Sequence, residues 1–167
     1  MKVPRFYPAV CFMVGAISFN HLATKEFERK MRKQFFEEGT IHMATFKDPH
    51  SKEMGDELPE MGQPDDGNGV YFQAQGYGKW YMNAVVQRLH KNDAEHLVTL
   101  LPLSLANGLC YPVLTTSLLV GYLAGRSAYS FGYIQPEGAF NQKRIYGSVL
   151  VNISKVSTIA VSLYLGI

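Results

Sequence analysis

Two triplets of side chains have both the types and the spacing to bind a small ligand. Arg88, Asn92 and Glu95 stand at i, i+4 and i+7, and Arg126, Tyr129 and Tyr133 at i, i+3 and i+7. Either spacing gathers its three side chains on one face of a helix. Together they offer two guanidiniums, a carboxylate, an amide and two phenols. That set suits a small zwitterion with two carboxylates and an amine, because arginine grips a carboxylate as a fork and glutamate pairs an ammonium. Each face also has a plainer reading. The first is equally a solvated helix end, and the second an interfacial aromatic belt with a snorkelling arginine.

The elements that carry these faces are apolar runs. The first, residues 6–23, is nearly long enough as a helix to cross a hydrocarbon core. Its basic, apolar beginning also fits a signal peptide, and we read it as a first spanning helix. A charged helical extension follows over 24–38. The second helix is expected over 80–107, polar in its first half and apolar from Leu97 to Ala106, with Pro102 as a kink. The third is expected over 111–133 and the fourth over 145–165. Short joins between the last three predict antiparallel neighbours in an up-and-down bundle. The fold class is therefore an all-α membrane protein of four transmembrane helices, one domain over 1–167. A polar insertion at about 39–70 separates helices one and two. Its breakers, Asp48-Pro49, Leu58-Pro59, Gln63-Pro64 and Asp65-Asp66-Gly67, read as a long loop.

Composition narrows the partners. A formal charge of only +2 in 167 residues leaves no basic patch for nucleic acid. The Lys25–Lys33 run, interleaved with Glu26 and Glu28, reads either as a juxtamembrane segment beside anionic head groups or as a solvated helix end. Cys11 and Cys110 are too few and too far apart for a metal site, and read as small buried hydrophobes. Asp65-Asp66 lacks the ligand spacing of a calcium loop, so no metal is expected. Lys155 is the oddity of the fourth helix. A lysine at mid-span is costly, and calls for an acid on a neighbouring helix, on another subunit or on a lipid head group.

The run Arg88-Leu89-His90-Lys91-Asn92-Asp93-Ala94-Glu95 resembles the R-x-x-x-N-x-x-E signature of the membrane-associated proteins in eicosanoid and glutathione metabolism, the MAPEG family. Arg126-Ser127-Ala128-Tyr129-Ser130-Phe131-Gly132-Tyr133 resembles its third-helix motif, R-x-x-Y-x-x-G-Y. Gly15-Ala16, His21-Leu22-Ala23 and Gly147-Ser148 are similar to the type 3 microsomal glutathione transferase branch. The resemblance spans the chain apart from 39–70. It implies a homotrimer of four-helix subunits in the endoplasmic reticulum or a mitochondrial membrane, with glutathione as substrate. It also implies that Arg88, Asn92, Glu95, Arg126, Tyr129 and Tyr133 contact glutathione, whose thiol is activated as thiolate by a neighbouring cation.

The chain departs from the family at that cation. The activating arginine of catalytic relatives falls on Asn141 here, with Lys143 and Arg144 within a turn. A three-residue shift moves a head group about 4 to 5 Å along a helix. An aromatic position after the signature glutamate is His96. Two functions follow from the resemblance. One is a glutathione transferase or peroxidase acting on hydrophobic electrophiles or lipid hydroperoxides, with Arg144 as the stabilising charge and Tyr129 as a hydrogen-bond donor. The other is a non-catalytic accessory subunit of a larger membrane complex, a mitochondrial respiratory assembly being one such case. A lipid-binding scaffold is a third. The enzyme is the preferred expectation.

Overall fold

The computed structural model describes residues 3–37, 40–57, 76–135 and 140–166, with side chains for all of these except 32–46 and 79. Among the described residues the chain is wholly helical. The elements are α1 (Tyr7–Glu37), α2 (Thr40–Met54), α3 (Tyr77–Cys110), α4 (Pro112–Ile134) and α5 (Gln142–Leu165). Two compact units divide the chain, residues 1–24 with 89–167, and residues 25–88.

Antiparallel helices make up the first unit. Along α1 and α3, Val10 meets Gly108 while His21 meets Asp93, so the numbers run in opposite directions. Along α3 and α4, Leu89 and Asn92 meet Arg126 and His96 meets Tyr122. Along α4 and α5, Gly121 meets Ser154, Gly125 meets Gly147, and Gly132 meets Arg144. The link from α3 to α4 is Tyr111 alone, and Pro112 opens α4 at a position where its missing N–H costs nothing. The core draws on all four helices: Val10, Met13 and Ile17, Leu97 and Leu100, Leu119 and Tyr122, and Val151.

Glycines bring α4 and α5 to backbone contact. A Cβ on Gly147 would run into the Tyr129 amide and the Gly125 carbonyl, and one on Gly132 into the Arg144 amide. Small residues that let helices touch are the packing habit of membranes, where burying apolar surface supplies no drive between helices. Polarity is distributed to match. Ser104, Asn107, Thr115, Ser154, Thr158 and Ser162 are buried, and Asn107 bonds the Thr158 carbonyl (2.9 Å) and accepts from Ser162 (2.9 Å). Phe12 (73 % exposed), Val98, Val120, Ile153, Val156 and Leu163 point outward. Among the described helices, α5 is long and apolar enough to cross a membrane by itself, yet only 22 % of its apolar window is buried inside the protein. An apolar surface over a polar seam is stable only in an apolar solvent.

In the second unit, Arg29 forks onto Glu26 through two 2.9 Å bonds at the exposed, charged end of α1. Tyr77, Trp80 and Tyr81 form a ring cluster at the start of α3, followed by buried Asn83, Val85, Val86 and Gln87.

Three expectations change. Residues 40–54 are helical, not loop. Pro49 removes one backbone bond without ending the helix, which stops instead at Gly55, left-handed (φ 77°) and bonded to the Ser51 carbonyl (3.1 Å). Cys11 and Cys110 are exposed, not buried, because they sit on the outward, apolar faces of their helices. α3 runs from Tyr77 to Cys110, three residues beyond the expected 80–107 at either end, with Pro102 inside it as expected. The calcium-like Asp65-Asp66 and the rest of residues 58–75 lie outside the described residues.

Candidate functional site

Arg126 is the centre of the first unit. It is 2 % exposed, and three groups hold it. Its Nε lies 2.7 Å from an Asp93 carboxylate oxygen, one terminal nitrogen donates to the Asn92 amide oxygen (2.8 Å), and the other donates to the Leu89 carbonyl (2.7 Å). Asp93 is equally buried. Its second oxygen meets Nδ1 of His21 at 2.8 Å, and the His21 ring stacks on His90 at 4.6 Å. Burying a charge is tolerable only when it is paired and its remaining hydrogen-bonding positions are met. Here acid, amide, carbonyl and imidazole meet them together.

From Arg126 the site runs along α4 to the start of α5. The Arg126 guanidinium lies 4.9 Å from the Tyr129 ring centre, and Tyr129 stacks on Tyr133 at 5.5 Å. The Arg144 guanidinium lies over both rings, 5.6 Å from Tyr129 and 5.3 Å from Tyr133. Aromatic faces attract cations, Arg most often. The α4–α5 glycine contacts make this possible, since Gly132 sits directly against the backbone of Arg144. Asn141 has a local task. It is the N-cap of α5, and its side-chain oxygen accepts from the Lys143 amide at 3.0 Å.

Asn92, Arg126, Tyr129, Tyr133 and Arg144 are thus one contiguous set within the first unit. Glu95, on the same helix as Asn92, is exposed. Arg88 is exposed and belongs to the second unit. Asp93 and His21 are the members that the spacing argument misses. The buried positions of α3 include Leu89, Asp93, Leu97, Leu100, Ser104 and Asn107, a stripe at three- and four-residue steps. An aspartate among those leucines was the available signal, because an acid on a core stripe demands a cation. Among the described residues no three His, Cys, Asp or Glu side chains cluster as a metal group.

A family model, that of the MAPEG family, matches residues 7–164. The chain belongs to the MAPEG family. The match takes in α1 to α4 and all but the last residue of α5, together with every member of the set above. Neither the curated proteins nor the solved structures compared with it gave a match. MAPEG proteins are membrane proteins that act with glutathione, are often trimeric, and include glutathione transferases and related enzymes. The outward apolar faces and polar seam of the first unit are those of a membrane-integral member.

Proposed function

We propose that this MAPEG protein is a glutathione transferase or peroxidase of the type 3 microsomal glutathione transferase branch. It works as a homotrimer of four-span subunits in the endoplasmic reticulum or a mitochondrial membrane. The observation that carries the reading is the guanidinium of Arg144 lying over Tyr129 and Tyr133 beside Arg126. Asn141 occupies the position of the usual activating arginine, and the close Gly132 contact brings a cation from three residues further on to the same tyrosine pair. Arg88, Asn92, Glu95, Arg126 and Tyr133 hold the tripeptide in this reading, Arg144 stabilises its thiolate, and Tyr129 donates a hydrogen bond to the sulfur. Arg88 and Glu95, exposed in a single chain, are available to glutathione or to a neighbouring subunit.

A thiol with a pKa of about 8.5 is mostly protonated at neutral pH, and a neighbouring cation lowers that value. The thiolate sulfur then gives its electron pair to an electrophilic carbon, and the electrons of the bond that breaks leave with a displaced anion or, in an addition, pass to a neighbouring atom that takes a proton. With a lipid hydroperoxide, the sulfur attacks the terminal oxygen, the O–O bond breaks, and the alkoxide takes a proton. The resulting glutathione sulfenic acid condenses with a second glutathione to disulfide and water. Replacing Arg144 by alanine is expected to slow conjugation of a model electrophile by about 10² to 10³, the usual loss for one group that stabilises developing or resident anionic charge. An unchanged rate would remove Arg144 from the mechanism.

One observation favours the accessory-subunit reading. Arg126 and Asn92 bond each other, and Asp93 already supplies Arg126 with its counter-charge. Both residues then serve the fold before any ligand. In mild detergent, migration as a free homotrimer speaks for the enzyme. Migration only within a larger assembly, with no glutathione binding, speaks for the subunit.

A further inference from the structure

Two ionisable side chains of the first unit stand at mid-helix without an ion pair. Glu95 is exposed on α3, and Lys155 is half-buried near the middle of α5. Among the described residues neither takes part in an ion pair. Asp93, the buried acid of the same unit, has one oxygen on Arg126 and the other on His21. A carboxylate and an ammonium are each costly against hydrocarbon, and each calls for a partner.

The two charges are matched in depth. α3 and α5 are both antiparallel to α4, so they run the same way. Contacts across α4 tie their levels. The His96 ring lies 6.4 Å from the Tyr122 ring, and a Cβ on Gly121, next to Tyr122, would stand 3.0 Å from the Ser154 hydroxyl. His96 and Ser154 thus share a level, and their chain neighbours Glu95 and Lys155 lie within about one turn of each other in depth. Each charge also has an asparagine three residues before it, Asn92 and Asn152, on the same side of its helix. The two strips face different ways. Glu95 is two residues from buried Asp93, about 200° round α3, and so points away from the core. α5 packs on the Asp93 side of α3, where Asn107 meets Thr158 and Ser162. The body of α3 therefore separates Glu95 from the Lys155 of its own chain.

Copies of one chain in a bilayer keep one orientation, and a ring about the membrane normal leaves every residue at its own depth. Opposite charges at one depth on two different faces are what a head-to-tail contact requires, and such contacts close into rings. We propose that α5 of one copy packs beside α3 of the next, running the same way, with Lys155 of the first paired to Glu95 of the second. Asn152 then comes level with Asn92. A carboxylate accepts at two oxygens, so this lysine and the ammonium of a bound tripeptide can share Glu95. The neighbouring copy thereby contributes a residue to the candidate site. The inference rests on the homotrimer of the reading above and not on its chemistry.

The test begins with the native mass of the full chain purified in mild detergent. The wild type is expected as a homotrimer. Lys155→Glu and Glu95→Lys should each lose it, and the double reversal, Glu95→Lys with Lys155→Glu, should regain it. A reversed charge can also upset folding, so a second measurement is made in native membranes. Glu95→Cys with Lys155→Cys, on a background of Cys11→Ser and Cys110→Ser, is treated with a short bismaleimide. Covalent dimers and trimers of the chain are expected from the paired variant, and monomers from either new cysteine alone. Single reversals that keep the homotrimer overturn the pairing. So does a wild-type homotrimer whose paired variant yields no cross-link, which leaves the homotrimer reading standing. A wild type that is not a homotrimer overturns both. Cross-linking of Lys155→Cys to a different protein gives the lysine to that partner and overturns the pairing.

Discussion

Arg126 and Arg144 lie against the same tyrosine ring, and their surroundings differ in kind. Arg126 is enclosed at the centre of the bundle, where an acid, an amide and a backbone carbonyl take its nitrogens. Arg144 is half-buried at the start of α5, where two stacked phenol rings lie beneath it. The enclosed arginine holds helices together inside a membrane and, in the proposed reading, meets glutathione from that fixed position, while the half-buried one at the helix start is the cation proposed to act on the sulfur. Two members of one arginine–tyrosine array divide structure and chemistry between them.

The sharpest way to break this division is at Asp93. Asp93→Asn leaves Arg126 buried without its counter-charge, and should cost about 3 to 5 kcal/mol of stability. Thermal unfolding in detergent reads it. Neutralising both partners, Asp93→Asn with Arg126→Gln, should recover part of the loss. A single variant as stable as the wild type would mean that Arg126 is not held by its acid.

Gly132→Ala comes next. The added methyl meets the Arg144 backbone, so helix α5 must shift, at a cost of about 1 to 3 kcal/mol. The same shift displaces Arg144 from its two rings, so the variant should lose thiol activation beyond what its stability loss explains. Full activation in a folded Gly132→Ala protein would show that the close contact does not place the cation.

The smallest effect is expected at Asn141. Asn141→Ala removes an N-cap, worth about 1 kcal/mol. Glutathione turnover per folded molecule should not change. A fall in turnover with stability intact would return the catalytic role to this position and take it from Arg144.

The sequence showed the helices more fully than the site. Apolar runs locate α1, α4 and α5 within a few residues, because a membrane helix must be apolar over most of its length. They miss the helix at 40–54, where Pro49 and a polar composition are breaker signals in water, and where a proline costs a helix one bond without ending it. For the site, spacing finds Arg126, Tyr129 and Tyr133, which share a face of α4 and do lie together. On α3 it selects the face of Arg88, Asn92 and Glu95, whereas the acid that meets Arg126 is Asp93, one residue and about 100° round the helix from Asn92. His21 is still harder to see, since its partner is 72 residues away and only the fold brings the two together. Cys11 and Cys110 lie in apolar runs that a protein in water would bury, and an apolar solvent leaves them on the outside.

The central claim is that this array ionises glutathione with Arg144 in place of the arginine that Asn141 replaces. The most direct measurement is the ultraviolet thiolate absorbance of glutathione titrated into the purified protein near neutral pH, with Arg144→Ala alongside. A saturable signal in the wild type that disappears in the folded variant is the predicted result. No signal in folded wild-type protein would contradict the claim and leave the accessory-subunit reading in its place.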